Sequence, residues 1–172
     1  MTSTTANPPL FSDELVATAD ERAVLAAFLD LYRETVVRKI RGVSDSDAHR
    51  QVVPTLTGLA DLVRHLRWLE VEWFEHVLAQ RPRSAEGGMW DVSGGAENDT
   101  DRTIDEIIAS YQAVCRRARE LAATRSLDDV VPHERLGQVS LRWIYVHMIE
   151  ETARHAGHAD VVRELIAAGT PD

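Results

Sequence analysis

The sequence predicts an all-α protein, a four-helix bundle with long crossover loops. Apolar residues recur at helical spacing in four segments of about 20 residues. Strand signals are weak, because no Asn-Gly or Asp-Gly pair occurs and the run 130–132 is too short to carry a sheet. The connections of about 14, 22 and 14 residues exceed what an up-and-down bundle needs, which favours at least one crossover.

The first and second helices are predicted from caps and apolar spacing. The first begins at a capping box formed by Thr18 and Glu21 and ends at Gly42 in the C′ position. The second covers about residues 57–80, just before Pro82. The inward residues of the first helix are Val24, Leu25, Phe28, Tyr32, Val36 and Ile40, and those of the second are Leu59, Leu62, Leu66, Leu69, Trp73 and Val77.

The third and fourth helices have equally clear start signals. Thr103 and Glu106 form a capping box for the third, and Ser140 is the expected N-cap of the fourth, which ends before Gly169. Between the second and third helices, the glycine-rich connection 81–102 surrounds Trp90 and could close over a substrate as a lid. The apolar residues of the third helix are Ile104, Ile107, Ile108, Tyr111, Val114, Cys115 and Leu121.

Size and composition fit one soluble domain, expected over residues 13–172 after a flexible tail at 1–12. The net charge of -9 weighs against nucleic acid as the main partner, because phosphate binding needs a basic patch. No apolar run is long enough to span a membrane, and the N-terminus has no signal-peptide pattern. The single cysteine, Cys115, suits a reducing compartment, so we expect a cytoplasmic protein.

The fourth helix carries a polar stripe on a partly apolar face. At 100° per residue, the side chains of His147, Glu151, His155 and His158 fall within about 80° of one another. Buried ionisable groups are costly unless they are paired or bind a metal. Because Glu151 and His155 are four residues apart, they can converge on one ion. A buried hydrogen-bond network or a solvated polar face is the alternative interpretation.

A third ligand would come from the second helix, which offers His65 and His76. These residues are 11 positions apart, or roughly 16 Å along a helix, so only one can join the site. His65 is favoured because Leu62, Leu66 and Leu69 flank it, although a hydrogen-bonded core histidine is also consistent with that setting. Two histidines and one carboxylate with an open position form a catalytic type of metal site.

The remaining reactive or aromatic side chains have simpler interpretations. Cys115 lies among apolar residues and is expected to be a small core residue rather than a nucleophile. Trp68, Trp73 and Trp143 are expected in the core rather than in a cofactor box. The sequence contains no pair of Glu-x-x-His motifs, no Gly-x-Ser-x-Gly elbow, no P-loop and no Rossmann fingerprint.

Two segments resemble DinB-like proteins. Residues 54–58, then 62–66 and Glu70, are similar to the second helix of that family, and Glu151-x-x-x-His155-Ala156-Gly157-His158 is similar to its ligand helix. The resemblance covers nearly the whole chain. Many members have histidine at the position of Glu151. Glutamate there resembles the mycothiol-dependent metalloenzyme branch, including the N-terminal domain of mycothiol-dependent maleylpyruvate isomerase.

The resemblance implies a site and a chemistry. Its metal ligands map onto His65, Glu151 and His155, while His147 and His158 would support the ligands or face the substrate. The metal would be Zn²⁺, or another divalent ion such as Ni²⁺ or Fe²⁺, and it would activate a low-molecular-weight thiol. Mycothiol suits the GC-rich, actinobacterial source indicated by 18 arginines among 19 basic residues. Donors for such a polar thiol are expected from His158 and from the arginines near the ligand helices, which are Arg64, Arg67 and Arg154.

The leading hypothesis is therefore a metal-dependent thiol S-transferase that joins mycothiol or a similar thiol to an electrophilic small molecule. An isomerase using the same thiol is a close variant. A metal-bound module that binds or senses a small ligand without turnover is the alternative from another class. The expected partners are the thiol and the electrophile, without nucleic acid or membrane, and the sequence leaves a homodimer open.

Overall fold

In a computed structural model of the protein, residues 11, 13–52, 58–83 and 102–169 are described. Most of the expected N-terminal tail at 1–12 lies outside these residues. So do most of the glycine-rich connection and Trp90, so the expectation of a lid there stays a prediction.

Four long helices form the molecule, as the sequence predicts, and the all-α fold class is confirmed. They are α1 (Glu21–Ile40), α3 (Leu59–Glu70), α4 (Ile104–Ala123) and α5 (Leu141–Ala168). The first packs mainly on α5, and α3 packs on both α4 and α5. Among the described helices, none is both long and apolar enough to cross a membrane. Shorter elements are a 3-10 helix (Glu14–Val16) and α2 (Asp45–His49).

Helix starts are set by local caps, and one of them differs from the prediction. Thr103 and Glu106 form the expected capping box of α4, and the Ser140 side chain accepts from the Trp143 amide at the start of α5. The first helix instead begins after Asp20, whose carboxylate accepts from the Ala23 amide at 3.0 Å. The predicted cap at Thr18 was wrong, because the 3-10 helix and its following turn precede Asp20, which is an equally good cap.

A β-hairpin joins α4 to α5, which corrects the expectation that this connection forms no sheet. Strand β1 (Val130–His133) pairs antiparallel with β2 (Gly137–Ser140). The turn is ordered by His133, whose Nδ1 accepts from the amides of Arg135 and Leu136 at 3.2 Å each. A three-residue turn with a side-chain acceptor does not require the Asn-Gly signal on which the sequence argument relied.

The second bundle helix changes its winding in the middle. After Glu70 the chain continues as a π-helix (Val71–Leu78), which an α-helical spacing argument does not anticipate. The segment is followed by Gln80 in a left-handed conformation with φ of 53°. The side-chain amide of Gln80 donates from Nε2 to the carbonyls of Val77 and Pro132 at 2.5 and 3.3 Å. These bonds link the helix end to the hairpin. Such π-helical turns are frequent at functional sites.

A buried ion pair lies in the core, and its acidic partner is the last residue before the π-helix. Arg33 donates from Nε and Nη2 to the two carboxylate oxygens of Glu70 at 2.7 and 2.6 Å, and Glu70 is fully buried. The Arg33 guanidinium also lies 5.7 Å from the centroid of the Phe74 ring. Because removing one partner would leave an unpaired buried charge, this pair fixes α1 against the helix that carries His65.

Candidate metal centre and cavity

Three side chains from two helices converge between α3 and α5. Ligand atoms of His65, Glu151 and His155 all lie within 4.8 Å of one another. The Glu151 carboxylate is 3.6 Å from Nε2 of His155, and the ring centroids of His65 and His155 are 4.8 Å apart. The structure therefore brings His65, rather than His76, to the pair on α5.

His76 has a different role at the end of the π-helix. Its Nδ1 is 3.1 Å from the carbonyl oxygen of Arg81, so the ring ties the helix end to the next residues of the chain. Among the described residues, His76 belongs to neither of the two groups that could hold a metal.

Burial keeps the imidazoles of the centre neutral near pH 7. Burial lowers the pKa of His155 to about 4, assisted by the neighbouring rings of His65 and His158. Burial also lowers the pKa of His65, although the charge of Glu151 acts in the opposite direction. A neutral imidazole has a free lone pair, which metal coordination requires.

The donor atoms present fit a divalent metal ion such as Zn²⁺. Two imidazoles and one carboxylate form a ligand set that such ions accept. Nδ1 of His65 is buried and has no hydrogen-bond partner in the part of the chain that the structure describes. A buried polar atom without a partner calls for an explanation, and a bound ion would supply one. Glu151 is in turn held by Arg154, whose Nη1 is 3.1 Å from Oε1.

A second group shares Glu151 with the first. Ligand atoms of His147, Glu150 and Glu151 also lie within 4.8 Å of one another. Glu150, however, is exposed and already paired with the Arg154 guanidinium. The first group offers two half-buried imidazoles and one half-buried carboxylate, so it is the better candidate for a metal.

A cavity of about 1080 Å³ extends from this centre towards the hairpin. His65 and Glu151 lie in its lining, together with His147 one turn earlier on α5. The π-helix supplies part of one wall, because four of its eight residues line the cavity. The wall residues from α3, the π-helix and the residues that follow are Trp68, Leu69, Glu72, Trp73, His76, Val77, Gln80, Arg81, Pro82 and Arg83.

The hairpin and the start of α5 close the opposite side of the cavity. The turn of the hairpin lies over the end of the π-helix, where Gln80 joins the two elements. Trp143 comes from the first turn of α5. The lining residues of the hairpin are Pro132, His133, Glu134, Arg135 and Leu136.

The residues expected to bind the thiol lie elsewhere. None of Arg64, Arg67, Arg154 and His158 is in the described lining of the cavity. Arg64 is buried and its Nη1 is 2.7 Å from Asp61, whereas Arg154 pairs with the two acidic residues on its own helix. His158 contacts the ring of His155, with centroids 5.4 Å apart. A role for these four residues in thiol binding therefore stays a prediction.

Three other arginines line the cavity, and sequence reasoning missed them. Arg83 pairs with Glu72, Arg81 pairs with Glu75 at 3.1 Å, and Arg135 lies in the hairpin turn. No local pattern marks them, because they follow the ends of elements whose placement depends on the tertiary fold. The nearest sequence signal is that long connections between helices often carry functional residues.

Cys115 lies apart from the cavity, on α4. Burial raises the pKa of its thiol well above the usual range, so the sulfur is protonated at neutral pH. The residue is 3% exposed and belongs to the hydrophobic core, as the sequence predicts.

A comparison with known protein families shows the family of this chain. The family model described as mycothiol-S-transferase matches residues 24–168, which includes all four long helices apart from the first three residues of α1. No curated protein matches the chain.

Proposed function

Because the chain belongs to the mycothiol-S-transferase family, we propose that it joins the sulfur of mycothiol to an electrophilic small molecule in a metal-dependent reaction. The ion, with Zn²⁺ as the first choice, would be held by His65, Glu151 and His155. The observation that carries this proposal is the convergence of these three side chains at the edge of a cavity of about 1080 Å³.

The protonation states of the ligands support a role in thiol activation. When bound, a divalent ion lowers the pKa of a thiol at its open position, so that the sulfur is deprotonated near neutral pH. Two neutral imidazoles and one carboxylate leave a net positive charge of about one on such a site, counted from the ligand charges. Arg154 holds the carboxylate of Glu151 in position through an ion pair of 3.1 Å.

The transfer of the thiol sulfur to the electrophile needs no oxidant or reductant. A bond forms between the thiol sulfur and the electrophilic carbon, and the thiol proton passes to solvent. In a substitution, the bond between that carbon and its leaving group breaks, and the leaving group takes the electron pair. In an addition to a conjugated double bond, a proton is instead taken up at the neighbouring carbon. The chain's own sulfur takes no part, because Cys115 is buried and protonated.

The cavity has room for two reactants. Pockets for a single drug-sized ligand are roughly 300–1,000 Å³, and this cavity of about 1080 Å³ exceeds that range. Holding both molecules in one site replaces an encounter in solution by a reaction between neighbours, which lowers the entropic part of the barrier. Trp73, Trp143 and Leu69 supply apolar walls that displace water from the reacting atoms.

The direct test combines metal analysis with a conjugation assay. Purified protein is assayed for bound metal and then mixed with mycothiol and iodoacetamide, with metal-free protein as the control. We expect conjugate formation above the uncatalysed rate only with the metal-loaded protein. Thiol binding without any turnover, across substitution and isomerisation substrates, would instead support the metal-bound ligand-binding module.

A further inference from the structure

Four aromatic rings form a continuous cluster in the wall of the cavity, and we call Trp73, His133, Trp143 and His147 the ring cluster. Trp73 is at its centre, with its ring centroid 5.2 Å from His133, 5.2 Å from Trp143 and 4.6 Å from His147. Trp143 stacks on His147 at 4.9 Å with an interplanar angle of 13°. These separations are within the range of about 4.5–7 Å that attractive aromatic pairs adopt.

The ring cluster contains one buried tryptophan and one exposed tryptophan. Trp73 is 8% exposed and is therefore held by its neighbours, whereas Trp143 is 40% exposed. His147 stacks on the Trp143 indole and Trp73 packs against it at a tilt of 53°, so the accessible part of the indole lies away from these two rings. An exposed indole in a cavity wall is a surface on which another flat ring can stack.

The ring cluster also adjoins the candidate metal centre. His147 and Glu151 are on the same face of α5, and their ligand atoms are within 4.8 Å of one another. In the same wall as Trp73, Trp68 stacks near His65 with centroids 6.2 Å apart. A molecule lying on the ring cluster is therefore next to the residues that would hold the activated thiol.

We propose that the ring cluster binds the electrophile, and that this electrophile is a planar, electron-poor aromatic or conjugated molecule. The inference rests on the proposed transferase function and names its second substrate class. Withdrawing substituents make such a molecule reactive towards a thiolate and remove electron density from the face of its ring. The loss of electron density from the face of the ring also favours its stacking on the electron-rich face of an indole.

A sugar, which can also stack on tryptophan, fits this wall less well. Sugars need hydrogen-bond donors and acceptors around the stacking face, and three polar side chains near the ring cluster are already engaged. Arg83 pairs with Glu72, and the Gln80 amide donates to two backbone carbonyls. Nδ1 of His133 accepts two backbone amides. An arene needs none of these groups, so the aromatic class is the better match.

Binding of an unreactive arene to the metal-free protein tests this site separately from catalysis. The probe is 1,3-dinitrobenzene, which has no leaving group, and calorimetry measures its affinity against nitrocyclohexane and methyl glucoside. The variants are Trp143→Leu, which removes the ring, and Trp143→Phe, which restores a smaller one. Val146→Ala is the matched control, because Val146 is exposed on the same helix and does not line the cavity.

We expect 1,3-dinitrobenzene to bind about two- to twelvefold more tightly than nitrocyclohexane, the ratio that corresponds to the roughly 0.5–1.5 kcal/mol of a typical aromatic pair. Trp143→Leu should remove that preference, while Trp143→Phe and Val146→Ala keep most of it. Tighter binding of methyl glucoside, or equal binding of the arene and the saturated ring, would overturn the proposal even if conjugation of iodoacetamide persists. Retained arene preference without any thiol transfer would leave the subsite standing and refute the transferase function.

Discussion

The Glu151 carboxylate lies 3.6 Å from Nε2 of His155, one turn further along α5. On an α-helix, residues four positions apart are neighbours, so this pair needs only the helix itself to be formed. His65 reaches the pair from α3, which requires the correct packing of two helices. The complete centre therefore forms only when α3 packs on α5, although two of its three side chains are already neighbours on one helix.

The first prediction concerns the metal ligands. His65→Ala, Glu151→Ala and His155→Ala should each lose bound metal, with affinity falling by more than the roughly 10–100-fold typical of supporting groups. His76→Ala should retain metal, because its ring contacts the Arg81 carbonyl rather than the other ligands. Elemental analysis of the four folded variants measures this. Loss of metal from His76→Ala with retention in His65→Ala would show that the wrong histidine was chosen.

The second prediction concerns pH and the metal-free protein. The pKa of His155 is about 4 in the folded protein and about 6.5 when unfolded, so the unfolded state binds more protons between these values. The free energy of unfolding should therefore fall as the pH is lowered from about 6.5 to about 4, and this contribution should not change further below pH 4. At higher pH both states are neutral and the contribution vanishes.

Thermal unfolding measured at several pH values checks this prediction. His155→Gln removes the titrating group, so its melting temperature should decline less between pH 6.5 and 4 than that of the original protein. Groups away from the centre contribute to both proteins alike, so the difference between the two slopes reports His155 together with its coupling to His65 and His158. Identical slopes would contradict the prediction.

Local signals account for most of what the sequence predicts correctly. The caps at Thr103 and Ser140 act on the next turn of their helices, so they can be recognised without the rest of the chain. The preference for His65 over His76, which stays a prediction for the metal site, rested on the leucines that flank His65 on one helix, and this signal is also local. The wrong cap at Thr18 arose because Asp20, two residues later, satisfies the same rule.

The cavity could not be predicted because it depends on elements with no local signature. The apolar residues of the π-helix Val71–Leu78 also suit an α-helix, so the sequence does not distinguish the two windings. Gln80 adopts a positive φ without being glycine, and its contacts with the hairpin come from a different part of the chain. Of the tryptophans expected in the core, Trp73 is buried there and also lines the cavity, whereas Trp68 is partly buried and Trp143 is 40% exposed in the cavity lining.

The third prediction is that Cys115→Ser retains transferase activity. The thiol is buried on α4, outside the described lining of the cavity, and burial raises its pKa. The reactive sulfur is proposed to arrive on the small-molecule thiol. Serine places a hydroxyl among apolar neighbours, so we expect a stability loss of about 1–3 kcal/mol. Turnover and chemical denaturation are measured on the same metal-loaded sample, and loss of turnover in a folded variant would identify Cys115 as a nucleophile.

The final prediction concerns the thiol itself. A site with two neutral imidazoles and one carboxylate keeps a net positive charge when it holds a divalent ion, and a thiol that binds there should lose its proton. Mycothiol should therefore bind saturably, and its binding should strengthen with rising pH until hydroxide competes for the same position. In the metal-free protein, that source of stabilisation is absent, so binding should be much weaker and should release no proton.

Calorimetric titration with mycothiol in two buffers of different ionisation enthalpy measures the released proton. We expect the apparent heat to depend on the buffer for the metal-loaded protein and not for the metal-free one. Glu151→Gln is an informative variant, because it removes the carboxylate charge while keeping the size of the side chain. If it retains metal, the greater positive charge should let the thiol lose its proton at a lower pH. Equal mycothiol binding with and without metal would refute the thiolate mechanism and leave a ligand-binding module as the better account.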